Sequence, residues 1–315
     1  MWDGVPWFVT GTAASPETLR MVLDAAVGGE GVVGPADLVV TALEMPADAV
    51  QVGTGAMVAR EPGAGQAYAA RMPTVQSVDI EVAGADGPRS DLIVARIEDP
   101  YGGQPWPEPE DPLTGPYVHT RVITDVPPGT TTLRAVDDSS TAVVLARVDL
   151  PAGATQVTDA MVTDLRQIAR PRQQEEDQYL TGWTAPDDVG PVTDAWEEFP
   201  LGGTWTERAP EWATHVTVRC TLTGLLHPDA VEARGQIRVV CGEQGGLAVP
   251  YAATAPGRLA LQAGQRFALS PEERGQLVSV GVQGRGEEGF SGVLRADTAS
   301  ACHLAVRFEQ RPVSA

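Results

Sequence analysis

The chain has no lysine. All 22 basic residues are arginine, set against 42 acids, and the net charge is −20. An arginine-only complement reflects a GC-rich genome, because Arg codons are GC-rich and Lys codons are not. So acidic a chain repels nucleic acid and anionic membranes at long range, which argues against DNA binding. Cysteine is scarce, with Cys220, Cys241 and Cys302 only. An odd, widely spaced set is no disulfide framework; it reads as small buried apolar side chains in a reducing cytosolic assembly. No run approaches the ~18 apolar residues a membrane helix needs, so no membrane insertion is expected. The start, Met1-Trp-Asp-Gly-Val-Pro-Trp-Phe-Val9, lacks a basic n-region and is not read as a signal peptide.

Patterns that carry chemistry are also missing. There is no G-x-S-x-G, and His119, His215, His227 and His303 sit in strand patterns or before a proline. No C-x₂₋₄-C pair exists, and Cys302 and His303, as neighbours in a strand, would point to opposite faces. The acid pairs Asp187-Asp188, Glu197-Glu198, Glu272-Glu273 and Glu287-Glu288 read as solvated turns rather than a glycosidase site; clustered loop carboxylates also suit calcium, which stays open although no EF-hand-like spacing supports it. Gly281-Val-Gln-Gly-Arg-Gly286 has the wrong glycine spacing for a nucleotide loop. The expectation is a protein without catalytic residues, metal or cofactor.

What is present is glycine and proline, 34 and 26, clustered between short apolar runs. That favours short strands and turns. At 315 residues the chain suits two domains, each able to bury its own core. Residues 1–170 carry 10 Arg against 23 acids, net −13; residues 171–315 carry 12 Arg against 19 acids, net −7. Two segments organise the first part: Arg89-Ser-Asp-Leu-Ile-Val-Ala-Arg-Ile-Glu-Asp-Pro100 and Thr141-Ala-Val-Val-Leu-Ala-Arg-Val-Asp-Leu-Pro151. Both read as buried strands closed by proline. Each holds an Arg near its end, Arg96 and Arg147, with an acid two or three residues on. A buried charge must be paired, and Asp91, Asp149 and Asp164 are the expected partners.

The second segment continues through Gly153-Ala-Thr-Gln-Val to Val162-Thr-Asp-Leu-Arg166. Taken with Pro88-Arg-Ser-Asp-Leu-Ile-Val-Ala-Arg96 and Leu145–Thr155, this order resembles a domain of bacteriophage tail-tip, baseplate and fibre proteins, over about residues 1–170. The resemblance implies a structural attachment module with no catalytic residues. It implies other tail or baseplate proteins as partners, a homo-oligomer (commonly a trimer), and a place in the virion tail after assembly in the host cytoplasm. With the GC-rich reading it fits an actinobacterial phage. The equivalent part of a contractile injection system shares such modules, and a glycan-cleaving tail enzyme is the alternative from another class.

The expected fold is mainly β: an N-terminal α+β attachment domain (1–170), a polar linker (171–189), and a C-terminal antiparallel β-sandwich of jelly-roll type (190–315). One helix is predicted, starting at the cap Ser15 with Pro16 at its first position and stopping at Gly28-Gly29. A second, short helix is predicted over Thr158–Ile168, and Val5–Val9 reads as a first strand or an exchanged arm. Residues 99–116 hold six prolines and are expected as an irregular loop that packs, through Trp106 and Tyr117, on its own domain or on a neighbouring subunit. The sandwich starts in a tryptophan-rich stretch: Trp183, Trp196, Trp205 and Trp212. Tryptophan stacks on sugars and anchors interfaces, and it also packs beneath sheets. A host-surface glycan or another tail protein is the expected ligand, met by end loops such as Leu226–Arg234, Gly242–Gly246 and Gly284–Gly289.

Overall fold

The computed structural model describes residues 15–81, 83–84, 87–102, 104–183, 189–190 and 193–313. Val5–Val9 lies outside them. The chain forms two compact units: Met1–Pro171 together with Pro312–Ala315, and Arg172–Arg311.

The first unit opens on helix α1 (Pro16–Val27), whose cap Ser15 accepts a hydrogen bond from the Thr18 amide and whose end is closed by left-handed Gly28. Leu23 and Val27 rest against Val58, Ala67 and Ala169. Ten strands follow: β1 (Gly31–Val32), β2 (Val40–Ala47), β3 (Ala49–Val52), β4 (Gly55–Glu61), β5 (Gln66–Met72), β6 (Gln76–Asp79), β7 (Arg89–Ile97), β8 (Val118–Val126), β9 (Ala142–Leu150) and β10 (Val162–Asp164). They make two three-stranded sheets, β1-β4-β5 and β2-β3-β6, and one four-stranded sheet, β10-β9-β7-β8. β7 explains its own composition. Ile93, Ala95 and Ile97 enter the main core with Leu145 and Val148. Leu92 and Val94 enter a smaller core with Val126, Leu133 and Ala142. A strand covered on both faces reads as an unbroken apolar run rather than an alternation.

One expectation fails here. Thr158–Ile168 is not a helix but a 3₁₀ turn (Asp159–Met161) followed by β10. Val162 and Thr163 are β-branched and pair with Val148 and Arg147 on the open edge of β9. The tertiary partner outweighs the weak helical spacing.

The second unit is all β. Its strands are β11 (Gln173–Thr181), β12 (Val189–Gly190), β13 (Glu197–Glu198), β14 (Thr204–Arg208), β15 (His215–His227), β16 (Ala233–Cys241), β17 (Gln244–Gly245), β18 (Val249–Ala253), β19 (Gly257–Ala268), β20 (Leu277–Gly286), β21 (Leu294–Arg295) and β22 (Ala301–Glu309). Number the long strands β11, β14, β15, β16, β18, β19, β20 and β22 from first to eighth. One sheet then runs first–eighth–third–sixth and the other second–seventh–fourth–fifth. That is the double Greek-key order of a jelly roll. The inward sides of β15 and β22 supply Val216, Val218, Cys220, Leu222 and Cys302, Leu304, Val306, Phe308. They meet Ile237, Val239, Val280 and Val282 from the second sheet. The three cysteines are free thiols in this core. Cys220 and Cys302 sit 3.8 Å apart, and that contact together with burial pushes the Cys220 thiol up.

The polar stretch expected as a linker needs correction. Gln173–Thr181 is an edge strand, paired along its length with β22 from Gln173↔Glu309 to Thr181↔Ala301. Its acids face solvent and β22 side chains: Glu175 binds Arg307, and Asp177 lies 2.7 Å from His303. Charged side chains on an edge strand discourage further strand pairing, and from sequence they look like a linker. The first unit accordingly runs to Pro171 and takes back the tail, with the Val313 amide bonded to the Pro35 carbonyl.

Candidate functional site

Residues two apart in a strand share a face, so Arg-x-acid is a ready-made ion pair. Among the described residues the first unit uses this spacing four times. Arg89 grips Asp91, Arg96 grips Glu98, Arg147 grips Asp149, and Arg166 grips Asp164. All four fall in or beside the segments that carry the family resemblance. Asp91 is fully buried. It lies where the β7–β8 register shifts, and it also accepts the Asp125 amide at 2.9 Å. Arg147 pairs with Asp149 and donates to the Thr130 carbonyl.

Arg96 pairs with Glu98, and not with Asp91, Asp149 or Asp164. Glu98 is the hub of a cluster: Arg96 Nη2 at 2.7 Å, Arg121 Nε at 2.8 Å and His119 Nε2 at 3.6 Å surround its carboxylate. Burial opposes the charge, yet the hydrogen bonds from Arg121 and Arg96 and the field of His119 prevail and hold the carboxyl at about 2. Arg166 carries the most buried guanidinium of the set, at 0% exposure. It binds Asp164 through Nε and Nη2 and donates to the carbonyls of Pro35, Asp37 and Val313. Sequence reasoning named Asp164 and missed Arg166, although the same two-residue spacing flags it.

Trp106 lies beneath Arg96, with the guanidinium 4.5 Å from the ring centroid. It lines a cavity of about 230 Å³ with Tyr68, Asp99, Gln104, Ser139 and Thr141. Tyr68 donates to Asp99 at 3.0 Å, and burial and that carboxylate push the phenol up. Tyr117 donates to the Pro112 carbonyl at 2.7 Å. The loop 99–116 therefore folds on its own unit, with Leu113 protruding at its tip.

The tryptophan-rich stretch separates into two kinds. Trp183, Trp205 and Trp212 pack on the jelly-roll core, and Trp183 donates to the Leu201 carbonyl. Trp196 lies instead against the outward side of β16 and β20, with Arg238 at 4.2 Å and Arg285 at 4.8 Å from its ring centroid. The expected end loop Leu226–Arg234 is shorter than anticipated, because β15 runs to His227 and β16 begins at Ala233. Buried His227 fastens it, with its two ring nitrogens each 2.9 Å from a carbonyl, of Ala255 and of Val231. Among the described residues no three His, Cys, Asp or Glu side chains are grouped to hold a metal.

No family model and no curated protein matches the chain. Among solved structures it resembles the VP2 subviral particle of infectious bursal disease virus, at 12% identity and a TM-score of 0.23, over 94% of this chain and 78% of that one. The Gx strain of the same virus gives 11% and 0.21, over 91% and 76%. The insecticidal delta-endotoxin Cry8Ea1 from Bacillus thuringiensis gives 9% and 0.24, over 89% and 51%. Scores this far below 0.5 carry no argument about function. The class of the molecule comes from its own topology: a mainly β protein of two units, the second a jelly roll.

Proposed function

We propose that the chain is a structural virion protein of a phage tail tip or baseplate. The first unit docks to other tail or baseplate proteins. The jelly roll is presented to a host-surface glycan or to another tail protein, and it binds without catalysing. One observation carries this reading. The three segments that resemble tail proteins become neighbouring strands, β7, β9 and β10, of a single sheet. Their Arg–acid couples serve to fasten that sheet. The motifs thus describe a structural frame, which is the role the resemblance implies. Assembly as a homo-oligomer, a trimer by that resemblance, would multiply weak contacts of the jelly roll into useful avidity.

The test is gradient-purified particles made by the phage that encodes the chain. The chain should co-purify stoichiometrically, and antibodies raised against residues 172–311 should decorate the tail end and block adsorption to host cells. Absence from the particle would overturn the proposal. Decoration without any effect on adsorption would confine the chain to a scaffold role.

A further inference from the structure

The outward side of the second jelly-roll sheet holds a cationic group. Gln236-Ile-Arg238 on β16 and Gln283-Gly-Arg285 on β20 run antiparallel, so Arg238 faces Gln283 and Gln236 faces Arg285. Each guanidinium donates through Nε and Nη2 to the opposing glutamine oxygen: Arg238 at 3.0 and 2.8 Å, Arg285 at 3.0 and 2.7 Å. Both lie against the single Trp196 ring. Gly245 gives way to this arrangement, since a Cβ there would collide with the Arg238 guanidinium.

Elsewhere many arginines settle on acids, while Arg170 and Arg208 settle on backbone carbonyls. Here, among the described residues, neither guanidinium has a carboxylate within ion-pair distance, although acids outnumber arginines by 42 to 22. Two like charges are held near each other instead, and burial and the Arg285 charge lower the Arg238 guanidinium from its ordinary value. The glutamines commit their oxygens inward to the arginines. What remains for a ligand is a set of donors, the Arg285 Nη1 group and both amide NH₂ groups, while the Arg238 Nη1 is turned towards Gly245. A guanidinium fixed by its neighbours keeps its fork oriented, which suits a planar or tetrahedral oxyanion. Several donors spread over two strands call for several acceptors, and a sugar acid supplies them.

We infer that Trp196, Arg238, Arg285, Gln236 and Gln283 form a subsite for an acidic sugar unit, carrying carboxylate or phosphate, of a surface polymer. This rests on the reading of the jelly roll as a binding module. The chain's own negative charge repels a polyanion from afar, but beyond about 8 Å that field is screened at physiological salt. Recognition is therefore short-range and depends on the fixed guanidiniums.

The test uses the full chain, eluted over immobilised polygalacturonate, a sugar-phosphate polymer and neutral dextran at equal ionic strength. Retention is expected on an acidic polymer and not on dextran, and the polymer that retains it identifies carboxylate or phosphate as the group. R238Q and R285Q should each cut retention about tenfold at unchanged melting temperature. R238K, which keeps the charge and loses the fork, should cut it nearly as far, while R219Q on the opposite sheet should leave it intact. Equal loss in R219Q would mean unspecific charge and overturn the inference. So would loss of self-association in R238Q with retention intact, because the pair would then hold a partner's carboxylate. If the full chain ignores both acidic polymers yet adsorbs to host cells, the subsite falls and the binding module stands. If it does neither, both fall.

Discussion

The two units solve the same problem, fixing strands in register, by different means. In the first, Asp91, Glu98 and Arg166 are buried charges, each satisfied by a partner two residues away and by further groups. In the second, most carboxylate pairs lie nearer solvent, such as Arg307–Glu175 and Arg234–Glu232, with buried Glu309 the exception, and the interior is a continuous apolar core. Buried ion pairs contribute little net stability against a well-packed apolar alternative, but breaking one leaves an uncompensated charge. An apolar core responds in proportion to the volume removed. The first unit should therefore be brittle and the second graded.

The largest effect should come from cutting the chain. Residues 172–311 expressed alone should unfold in one cooperative transition. Residues 185–311, which lack β11, should lose that cooperativity, because β22 then becomes a bare edge and Leu180 leaves the core. Equal cooperativity in both fragments, measured by denaturant titration, would contradict the edge-strand assignment. Next in size is Arg166→Ala, expected to destabilise the first unit by about 3–5 kcal/mol, since Asp164 and three carbonyls lose their shared donor. Leu222→Ala should cost the jelly roll about 2–5 kcal/mol. In the full chain each substitution should move one of two transitions and leave the other in place.

Acid should separate the units further. The Glu98 carboxyl sits at about 2 in the fold against an ordinary 4.5. Its contribution is complete above pH 4.5 and disappears as the pH falls through that window towards 2. A shift of this size corresponds to roughly 3 kcal/mol. Glu98→Gln should weaken the first unit at neutral pH and flatten its decline in acid, read from melting curves across pH 6 to 2. An unchanged acid slope would show that other carboxylates set it. The smallest effect belongs to Arg307→Gln, where an exposed edge pair is worth about 1 kcal/mol or less.

Much of this was legible in the residues. Ser15, Pro16 and Gly28 marked α1 within a residue, because caps are local chemistry. The alternation in His215–Leu222 and His303–Glu309 marked two sandwich strands, because period 2 follows from the pleat. Thr158–Ile168 and Gln173–Thr181 were misread for one reason: each takes its structure from a distant strand, β9 or β22, that the local sequence does not display. The tryptophans could not be sorted by spacing, since Trp196 and Trp205 differ only in which side of a sheet lies beneath them. The Gln236-x-Arg238 and Gln283-x-Arg285 repeat was visible all along, but it acquires meaning only once antiparallel pairing sets each arginine opposite a glutamine.

The pairing of Gln173 with Glu309 has a consequence for how such a protein can change. Chain entry and chain exit lie side by side at one end of the jelly roll, and the residues after it rejoin the first unit. The whole of 172–311 is thus a cassette with two adjacent joints. It can be exchanged for another sandwich without rerouting a strand of the first unit. The two units are then free to evolve at different rates along one gene.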